Sequence, residues 1–467
     1  MTDIMEFLPT YIFIIVSGLL TFTAIGHILY QKRSPTGMIS WIMAILFLPL
    51  ISVPLYFVIG IRKRESKHKK AYVNFHKPDQ HETYTVDDSS HGILGILEKN
   101  GIPQATTGNH FEFIFSSTDA YERILKEIHR STQSIDFSTY LFEFDKTTEV
   151  ILEALTQKAK EGVRVRLLLD LVGSLKIYFN QRKFKSLREA GGKVDFFVSI
   201  KKRPFQNYLN LRNHRKIYLF DKERLLSGGM NLSNDYMGEE DGNRRWKDLM
   251  YTLEGPSVND FYSIFQNDWE YATKERPKKD FVHKTVYSGT QIVQVVPSGP
   301  DIPKDALYEA LLDAIYNAKE RIWIVTPYFV PDDNLVQALI VAQHKGVDVK
   351  LITPKTSDHL LSDLGRSSYM RELDNVGADV VLYEGAMLHA KAILFDNEGG
   401  MVGSVNLDNR SLFLNYEVVT FVYSEAFIKN LEIWMEELMK SASIGMQKVT
   451  KRREAVENIM KVFAPLL

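Results

Sequence analysis

The stretch Asn-His-Arg-Lys-Ile-Tyr-Leu-Phe-Asp at residues 213–221, followed by Gly-Gly-Met-Asn at 228–231, occurs twice in the chain. The second copy is His-Ala-Lys-Ala-Ile-Leu-Phe-Asp at 389–396, followed by Gly-Ser-Val-Asn at 403–406. Both copies place Lys two residues after His, Asp five after Lys, Gly seven after Asp, and Asn three after Gly. One copy would be weak evidence, because a lone histidine on a strand is more often structural than catalytic. Two copies with identical spacing indicate a duplicated functional unit.

The residues between His and Asp predict a β-strand, because they are rich in Ile, Leu, Tyr and Phe. Side chains two positions apart on a strand project from the same face, so His214 and Lys216 point together, as do His389 and Lys391. An imidazole that titrates near neutrality, beside an ammonium group, suits attack on a phosphodiester. The glycine turns let backbone N–H groups and an amide approach an anion. Each copy is therefore predicted to supply half of one phosphate site.

The two copies end two longer repeats, in which each segment of the first half has a counterpart in the second. The corresponding segments are 119–125 with 306–312, 134–140 with 321–328, and 154–169 with 338–352. Helices that alternate with apolar strands predict an α/β fold of two pseudo-symmetric halves, each with a mixed β-sheet flanked by helices. We expect the two motifs to meet where the halves join.

The amino-terminal region is strongly apolar. Residues 8–30 contain no Asp, Glu, Lys or Arg and are long enough to cross ~30 Å of hydrocarbon as a helix. A second apolar run follows at 38–61, interrupted by Pro49 and Pro54, which leave room for a bent or re-entrant segment. Two transmembrane helices in a hairpin are the simplest interpretation; a cleavable signal peptide fits poorly, because the amino end is acidic and a second run follows at once.

The basic residues near these runs predict the orientation of the chain. Six Lys or Arg side chains follow the second run within 62–70, two lie between the runs at 32–33, and none precedes the first. The positive-inside rule therefore places the bulk of the chain in the cytoplasm. The basic flank could also hold anionic headgroups, although an ordinary solvated flank explains it equally well.

The chain is thus predicted to have four parts. These are a transmembrane hairpin at 1–61, a membrane-proximal linker at 62–106, a first half at 107–285, and a second half with a carboxy-terminal amphipathic helix at 286–467. The last helix, from about 447 to 463, is expected to pack on the body rather than lie on the bilayer. A basic and aromatic stretch at 201–212 is either a solvated face or a segment that meets anionic lipid headgroups.

Composition restricts the chemistry. The 467 residues are 45% hydrophobic and 25% charged, as in an ordinary folded protein. There is no cysteine, which excludes disulfides, thiolate catalysis and Cys-ligated zinc. The formal net charge is −1, from 57 Lys and Arg against 58 Asp and Glu, so no overall field attracts a polyanion such as nucleic acid.

These residues resemble the phospholipase D superfamily, whose signature His-x-Lys-x4-Asp-x6-Gly-(Gly/Ser)-x-Asn is present twice. Neighbouring stretches make the chain similar to bacterial cardiolipin synthases over nearly its whole length. They are Arg-Asn-His-Arg-Lys at 212–216, Trp-Lys-Asp at 246–248, Asn-Leu-Asp-Asn-Arg-Ser at 406–411, and Asn-Tyr-Glu at 415–417.

The resemblance implies a covalent mechanism in which His214 is the nucleophile and His389 the general acid and base. It implies no metal and no cofactor. The residues expected around the phosphoryl oxygens are Lys216, Lys391, Asn231, Asn406 and Ser404. The carboxylates expected to orient the histidines are Asp248 for His214 and Glu417 for His389, while Asp221 and Asp396 complete the motifs and are either catalytic or structural.

The function implied is a phosphatidyltransferase that joins two phosphatidylglycerol molecules into cardiolipin and glycerol. A hydrolytic phospholipase D or another phosphodiesterase, including a nuclease, is an alternative with water as acceptor. A membrane-anchored lipid-binding scaffold with a degenerate site is a third, although both motifs are intact. We expect phospholipid partners in a bacterial cell membrane and no nucleic acid, and the sequence leaves room for a homo-oligomer.

Overall fold

The structure is a computed structural model, and it describes most of the chain. The described residues are 2–30, 35–59, 70–75, 83–84, 92–199, 211–240, 245–275 and 288–463. The basic flank at 62–69, the basic pair at 32–33 and most of the basic and aromatic stretch, 200–210, lie outside the described residues.

The amino-terminal region forms three helices, α1 (Thr2–Tyr30), α2 (Pro35–Phe47) and α3 (Pro49–Ile59). In the described part of the chain, one helix is long and apolar enough to cross a membrane, over Thr10–Tyr30. The second predicted span is not confirmed as a single helix. It breaks at Leu48, because Pro49 has no N–H to continue the ladder, and α2 with 13 residues covers only about 20 Å.

The first half alternates helices and strands as the repeat predicts. Its elements are β1 (Thr106–Ile114), α5 (Ser117–Arg130), β2 (Ser134–Thr139), α6 (Lys146–Lys160), β3 (Arg164–Leu169), α7 (Leu175–Phe179), a 3₁₀ turn (Gln181–Phe184), α8 (Lys185–Glu189), β4 (Lys193–Phe196), β5 (Ile217–Phe220), β6 (Arg224–Gly228), β7 (Met250–Glu254) and α9 (Val258–Thr273). The linker before them contains α4 (Ile93–Lys99).

The second half repeats this order with three additional short strands. Its elements are β8 (Gln291–Ser298), α10 (Ala306–Asn317), β9 (Arg321–Val325), β10 (Phe329–Val330), α11 (Asp333–His344), β11 (Asp348–Pro354), α12 (Leu360–Asn375), β12 (Asp379–Tyr383), β13 (Ala392–Phe395), β14 (Gly399–Gly403), β15 (Leu407–Asp408), α13 (Asn409–Phe413), β16 (Glu417–Val422), α14 (Glu425–Lys440), β17 (Ala442–Ile444) and α15 (Lys451–Phe463).

The two halves share one continuous mixed sheet. Its strand order is β17-β12-β11-β9-β13-β14-β16-β8-β1-β7-β6-β5-β2-β3-β4. The central pair, β8 and β1, is antiparallel, and the order on either side of it is the same in both halves apart from β17, which adds an edge strand to the second half. The pseudo-two-fold relation is therefore confirmed, and the strands that carry the motifs, β5 and β13, occupy equivalent positions.

The helices cover the sheet through apolar faces that follow from the sequence. In α5, for example, Ala120, Ile124 and Ile128 recur every four residues and are buried. Ser116 caps this helix by accepting the Asp119 N–H. The last helix, α15, packs against α12 through the ion pair between Arg371 and Glu457, so the prediction that it packs on the body is confirmed.

A buried ionic network joins the membrane-proximal linker to both halves. Lys70 Nζ lies 2.6 Å from Asp268 Oδ1 on α9 and 2.6 Å from Asp301 Oδ2 in the second half. Arg215, next to His214, contacts the same two carboxylates at 2.9 Å. Burial opposes ionisation, but the two cations hold the pKa of Asp301 at about 2. Two buried cations thus balance two buried anions beside the catalytic motif.

Replacing Lys70 with methionine is expected to destabilise the fold by about 3–5 kcal/mol, because Arg215 alone would then balance two buried carboxylates. The double variant K70M/D301N should recover part of that loss, since it restores charge balance. Urea unfolding of the detergent-solubilised chain measures both effects. Lys440→Met, at a side chain that is 71% exposed, is the control and should change stability by less than ~0.5 kcal/mol. Equal effects at both positions would contradict the prediction.

Candidate active site

Each motif histidine is held by the backbone of the other half. The His214 N–H donates to the carbonyl oxygen of Tyr416 at 2.8 Å, and the His389 N–H donates to that of Lys247 at 2.8 Å. Isolated parallel bridges, Asn213 with Tyr416 and Lys247 with Leu388, precede β16 and β7 at these points. The site is therefore assembled across the pseudo-two-fold axis, and neither half forms it alone.

The orienting carboxylates also cross between the halves. His389 Nδ1 forms a hydrogen bond of 2.7 Å with Asp248, and His214 Nδ1 lies 3.2 Å from Glu417 Oε1, at ion-pair distance but without hydrogen-bond geometry. The pairing predicted from sequence, Asp248 with His214 and Glu417 with His389, is therefore wrong. Asp248 directly follows Lys247, whose carbonyl oxygen accepts the His389 N–H. Glu417 directly follows Tyr416, whose carbonyl oxygen accepts the His214 N–H. These backbone contacts place each carboxylate beside the histidine of the other half.

Each motif lysine lies against its own histidine. Lys216 Nζ donates to the His214 carbonyl oxygen at 2.9 Å. Lys391 Nζ lies 2.8 and 3.0 Å from the two ring nitrogens of His389 and also contacts its carbonyl oxygen. The regular strands β5 and β13 begin only after the lysines, yet the histidine and lysine of each motif lie together as predicted.

Burial sets the protonation of these four groups. It lowers the pKa of Lys216 to about 8 and that of Lys391 to about 7, although the two nearby carboxylates oppose the shift. Burial, followed by the Lys391 ammonium, lowers the pKa of His389 to about 3. Burial also lowers the pKa of His214, and Glu417 acts in the opposite direction. Both imidazoles are thus neutral at pH 7, with a lone pair available for attack.

One cavity of about 730 Å³ collects the reactive groups of both motifs. Its walls include both histidines and both motif asparagines, Asn231 and Asn406, while Lys216 and Lys391 are buried. Asn231 Oδ1 accepts the Leu141 N–H at 3.2 Å. Asn406 Oδ1 is buried and has no hydrogen-bond partner among the described residues, so this amide retains bonding capacity. The arrangement can surround a phosphodiester with two imidazoles, two amides and two cations.

Ser404 does not face this cavity, in contrast to its predicted role as a phosphate ligand. Its hydroxyl donates to Glu417 Oε2 at 2.6 Å and is fully buried. The residue at the equivalent position of the first half is Gly229, where a Cβ would lie 2.1 Å from Asp248 Oδ1. The Gly/Ser position of each motif therefore contacts the carboxylate that orients a histidine.

Gly229→Ala is expected to lower activity by on the order of 10²-fold or more, because the new methyl group would displace Asp248 from His389. Turnover of phospholipid and the melting temperature should be measured together, since the prediction is a loss of rate without a matching loss of folded protein. Gly26→Ala is the control, because its Cβ would meet nothing within 4 Å. Full activity of Gly229→Ala would show that Asp248 does not need its observed position.

The motif aspartates lie at the other end of the strands from the histidines. Asp221 accepts the backbone N–H groups of Thr132, Gln133 and Ser134, and Asp396 does the same in the equivalent loop at 319–321. Burial would raise the pKa of Asp221, but these donors hold it below its usual value. Neither aspartate lines the cavity, so their predicted inclusion among the catalytic residues is corrected to a structural role.

Aromatic and basic residues complete the cavity, and the sequence did not predict their place in it. The Tyr140 ring lies 4.6 Å from that of His214, and the Trp246 ring lies 5.1 Å from that of His389. Arg212 and Arg410 also line the cavity. The available signal was position, because Arg212, Trp246 and Arg410 all fall within the stretches that carry the family resemblance.

Comparison with protein families and curated proteins agrees with this architecture. Residues 124–269 and 311–439 match the family described as cardiolipin synthase, PLD-like domain. Residues 19–60 match a family described as phospholipase D-nuclease N-terminal. The chain is similar to the cardiolipin synthase of Clostridium perfringens, with 32% identity over 94% of this chain and 95% of the relative.

Two further comparisons extend the likeness. The major cardiolipin synthase of Bacillus subtilis is 30% identical, over 95% of this chain and 96% of the relative. Among solved structures, the phosphatidylserine synthase of Haemophilus influenzae matches with a TM-score of 0.58 and 16% identity, covering 76% of this chain and 92% of that one. At that identity the structural match shows a shared fold.

Proposed function

Because this chain belongs to the cardiolipin synthase family with its phospholipase D-like domain, we propose that it condenses two phosphatidylglycerol molecules into cardiolipin and glycerol. Its enzyme class, phosphatidyl transfer, follows from the family. The observation that carries the proposal is the single cavity lined by both motif histidines and both motif asparagines. A site for phosphate placed between two imidazoles suits a displacement carried out in two steps.

In the first step, His214 Nε2 attacks the phosphorus of one phosphatidylglycerol. The bond from phosphorus to the glycerol oxygen breaks, and His389, which takes up a proton from solvent as the anionic substrate binds, donates this proton to the leaving alkoxide. In the second step, His389 removes the proton from a hydroxyl of the other phosphatidylglycerol, whose oxygen attacks phosphorus and releases His214. The number of phosphodiester bonds does not change, so no cofactor or energy source is required.

The surrounding residues support these steps in different ways. The ammonium groups of Lys216 and Lys391, with the amides of Asn231 and Asn406, oppose the charge on the phosphoryl oxygens. A bound phosphodiester anion also opposes the effect of the two ammonium groups on His389, so the pKa of this imidazole rises when substrate enters. This rise lets His389 carry the proton in the complex.

The direct test is the purified full-length protein in vesicles of phosphatidylglycerol. Glycerol and cardiolipin should appear in equal amounts. Phosphatidic acid with free glycerol would instead indicate hydrolysis, and the absence of any product would overturn the proposal. Formation of a phosphatidyl alcohol when a short alcohol is added would support an intermediate that passes its phosphatidyl group to a hydroxyl.

The pH dependence should reflect the lysines rather than the histidines. Between pH 5.5 and 6.5 both ammonium groups are charged, so the lysines should impose no limb on kcat/KM in that range. Above pH 7 it should fall, since Lys391 with a pKa of about 7 and then Lys216 with a pKa of about 8 lose their protons. An acid limb near 6.5 and no alkaline limb would contradict this assignment.

The variant Lys391→Arg separates this effect from general alkaline inactivation. A guanidinium group keeps its charge throughout this pH range, so the first part of the alkaline limb should move to higher pH even if the rate is lower. Lys440→Arg, on the exposed surface of α14, serves as the control and should leave the profile unchanged.

We also propose that the chain is a multi-pass protein of the bacterial cell membrane, with its catalytic part in the cytoplasm. The support is the apolar helix α1, the second apolar run and the larger basic cluster after it. Since the chain has no cysteine, the single variants Thr36→Cys and Lys63→Cys each carry one thiol. If both runs span the membrane fully, a membrane-impermeant maleimide applied to intact cells should label only Thr36→Cys. If the second run is re-entrant and residue 36 stays on the cytoplasmic side, the maleimide should label neither variant. Labelling of Lys63→Cys would overturn the orientation.

A further inference from the structure

Four large apolar side chains face solvent, two of them on the wall of the catalytic cavity and two on helix α7, which follows another part of that wall in the chain. On the second half, Leu360 and Leu361 line the cavity while remaining 74% and 55% exposed. On the first half, Phe179 is 76% and Leu175 is 42% exposed. We call these four residues the rim. Single exposed apolar residues are common on proteins, but a group of them marks a contact surface.

The first-half part of the rim is fixed to the cavity wall. Helix α7, which contains Leu175 and Phe179, begins directly after Ser174, whose hydroxyl donates to the Tyr140 carbonyl oxygen at 3.1 Å. Tyr140 lines the cavity, and so does Val172, two residues before Ser174. Helix α7 therefore begins three residues after Val172 of the cavity wall, at a residue that follows a hydrogen-bonded contact of that wall.

The two parts of the rim are equivalent under the pseudo-two-fold relation. Strands β3 and β11 hold equivalent places in the sheet, one ending at Leu169 and the other at Pro354. Leu175 and Leu360 each lie six residues after those ends, at the first position of the next helix. Both halves thus present an exposed leucine at the same structural position of the repeat.

The charge beside the first-half rim favours an anionic partner. Residues 175–189 contain five basic side chains, Lys176, Arg182, Lys183, Lys185 and Arg188, against one acidic residue, Glu189. Their ion pairs are loose: Lys176 lies 3.4 Å from Glu143, and Lys185 lies 3.6 Å from Glu189, with lysine side chains 92% and 75% exposed. These cations therefore keep most of their charge available to a surface.

We propose that the rim docks on the surface of an anionic bilayer, with its apolar side chains among the headgroups, so that phospholipid enters the cavity without crossing water. Exposed apolar residues next to Lys and Arg are the composition of interfacial segments. The anchor is compatible with this placement, because α2 contacts α15, and α15 packs along α12, whose first two residues are Leu360 and Leu361. The inference rests on the proposed lipid substrate but concerns how the cavity reaches it.

The first test measures contact with lipid and does not depend on catalysis. Because the chain has no cysteine, single cysteines at Phe179 and Leu361 can carry an environment-sensitive fluorophore in the full-length protein in phosphatidylglycerol vesicles. Ile433→Cys on α14 is the matched control, since it is 54% exposed and does not line the cavity. We expect blue-shifted emission and at least twofold quenching by brominated lipids at the rim, and neither at residue 433. Equal signals at all three positions would overturn the proposal.

The second test separates docking from chemistry. The double variant L175D/F179D should need at least five times the surface fraction of phosphatidylglycerol for half-maximal rate in vesicles. Its turnover of a monomeric short-chain phosphatidylglycerol should stay within twofold of the unsubstituted protein, and Ile433→Asp should match that protein in both assays. Equal losses on both substrates would overturn the docking role. If the unsubstituted protein converts neither substrate, the proposed function fails, while the fluorescence result still decides the docking.

Discussion

Replacing either His214 or His389 with alanine is expected to lower the rate of cardiolipin formation by on the order of 10³-fold or more. The two imidazoles line one cavity, and each is held by the backbone of the other half. In the proposed mechanism neither can substitute for the other, because one bonds to phosphorus while the other moves the proton. The loss should therefore be similar for both variants and should not be additive in the double variant.

A substrate with a good leaving group distinguishes the two roles. Phosphatidyl p-nitrophenol needs no proton on its leaving group, so the variant without the general acid should still release it once. With His214 as nucleophile, His389→Ala should give one equivalent of p-nitrophenol and a phosphatidyl group on His214, whereas His214→Ala should release none. The reverse pattern would assign the nucleophile to His389. Release by neither variant, with both folded, would contradict a covalent histidine mechanism.

His344→Ala is the control for these measurements. This histidine lies in the last turn of α11 and is not part of the cavity wall. Its replacement should leave both the transfer rate and the p-nitrophenol release within about twofold, because surface changes away from a site have small effects. Mass spectrometry of the trapped protein then locates the phosphatidyl group, so the result does not depend on rates alone.

The sequence predicted most of what depends on local spacing. The pattern from His214 to Asn231, repeated from His389 to Asn406, predicted the strand positions, the contact of each histidine with its lysine and the two equivalent halves. These features follow from side-chain periodicity and strand order, which are encoded over short distances in the chain. The order of the sheet on either side of β8 and β1 agrees with them.

What sequence could not predict depends on contacts between the halves. Asp248 follows the first motif in the chain, so its sequence position predicts that it orients His214. The backbone bridges before β7 and β16 instead place Asp248 beside His389 and Glu417 beside His214. Ser404 is predicted to be a phosphate ligand because it lies in the same motif as Asn406. Its hydroxyl instead donates a hydrogen bond to Glu417. The break of the second apolar run at Leu48 was signalled by Pro49, although apolar composition alone favoured a continuous span.

The crossed pairing leads to the second large effect. Asp248→Asn and Glu417→Gln keep the shape of each side chain and remove its charge, so each is expected to lower the transfer rate by about 10²–10⁴-fold. Asp248 bonds to His389 Nδ1, and Glu417 lies beside His214 Nδ1, which sets the tautomer that directs Nε2 toward phosphorus. Loss of either negative charge also makes the protonated form of the contacting histidine less stable.

Each carboxylate variant should show the same defect as the alanine variant of the histidine that the carboxylate contacts. With phosphatidyl p-nitrophenol, Asp248→Asn should resemble His389→Ala and retain the single release, and Glu417→Gln should resemble His214→Ala and slow it. The pairing expected from sequence position predicts the opposite assignment of the two phenotypes. Glu398→Gln, a carboxylate in the turn between β13 and β14 that does not line the cavity, is the matched control for charge removal. If Asp248→Asn behaved like His214→Ala, the exchange of carboxylates between the halves would be wrong, and the two halves would work as separate units that merely share a cavity.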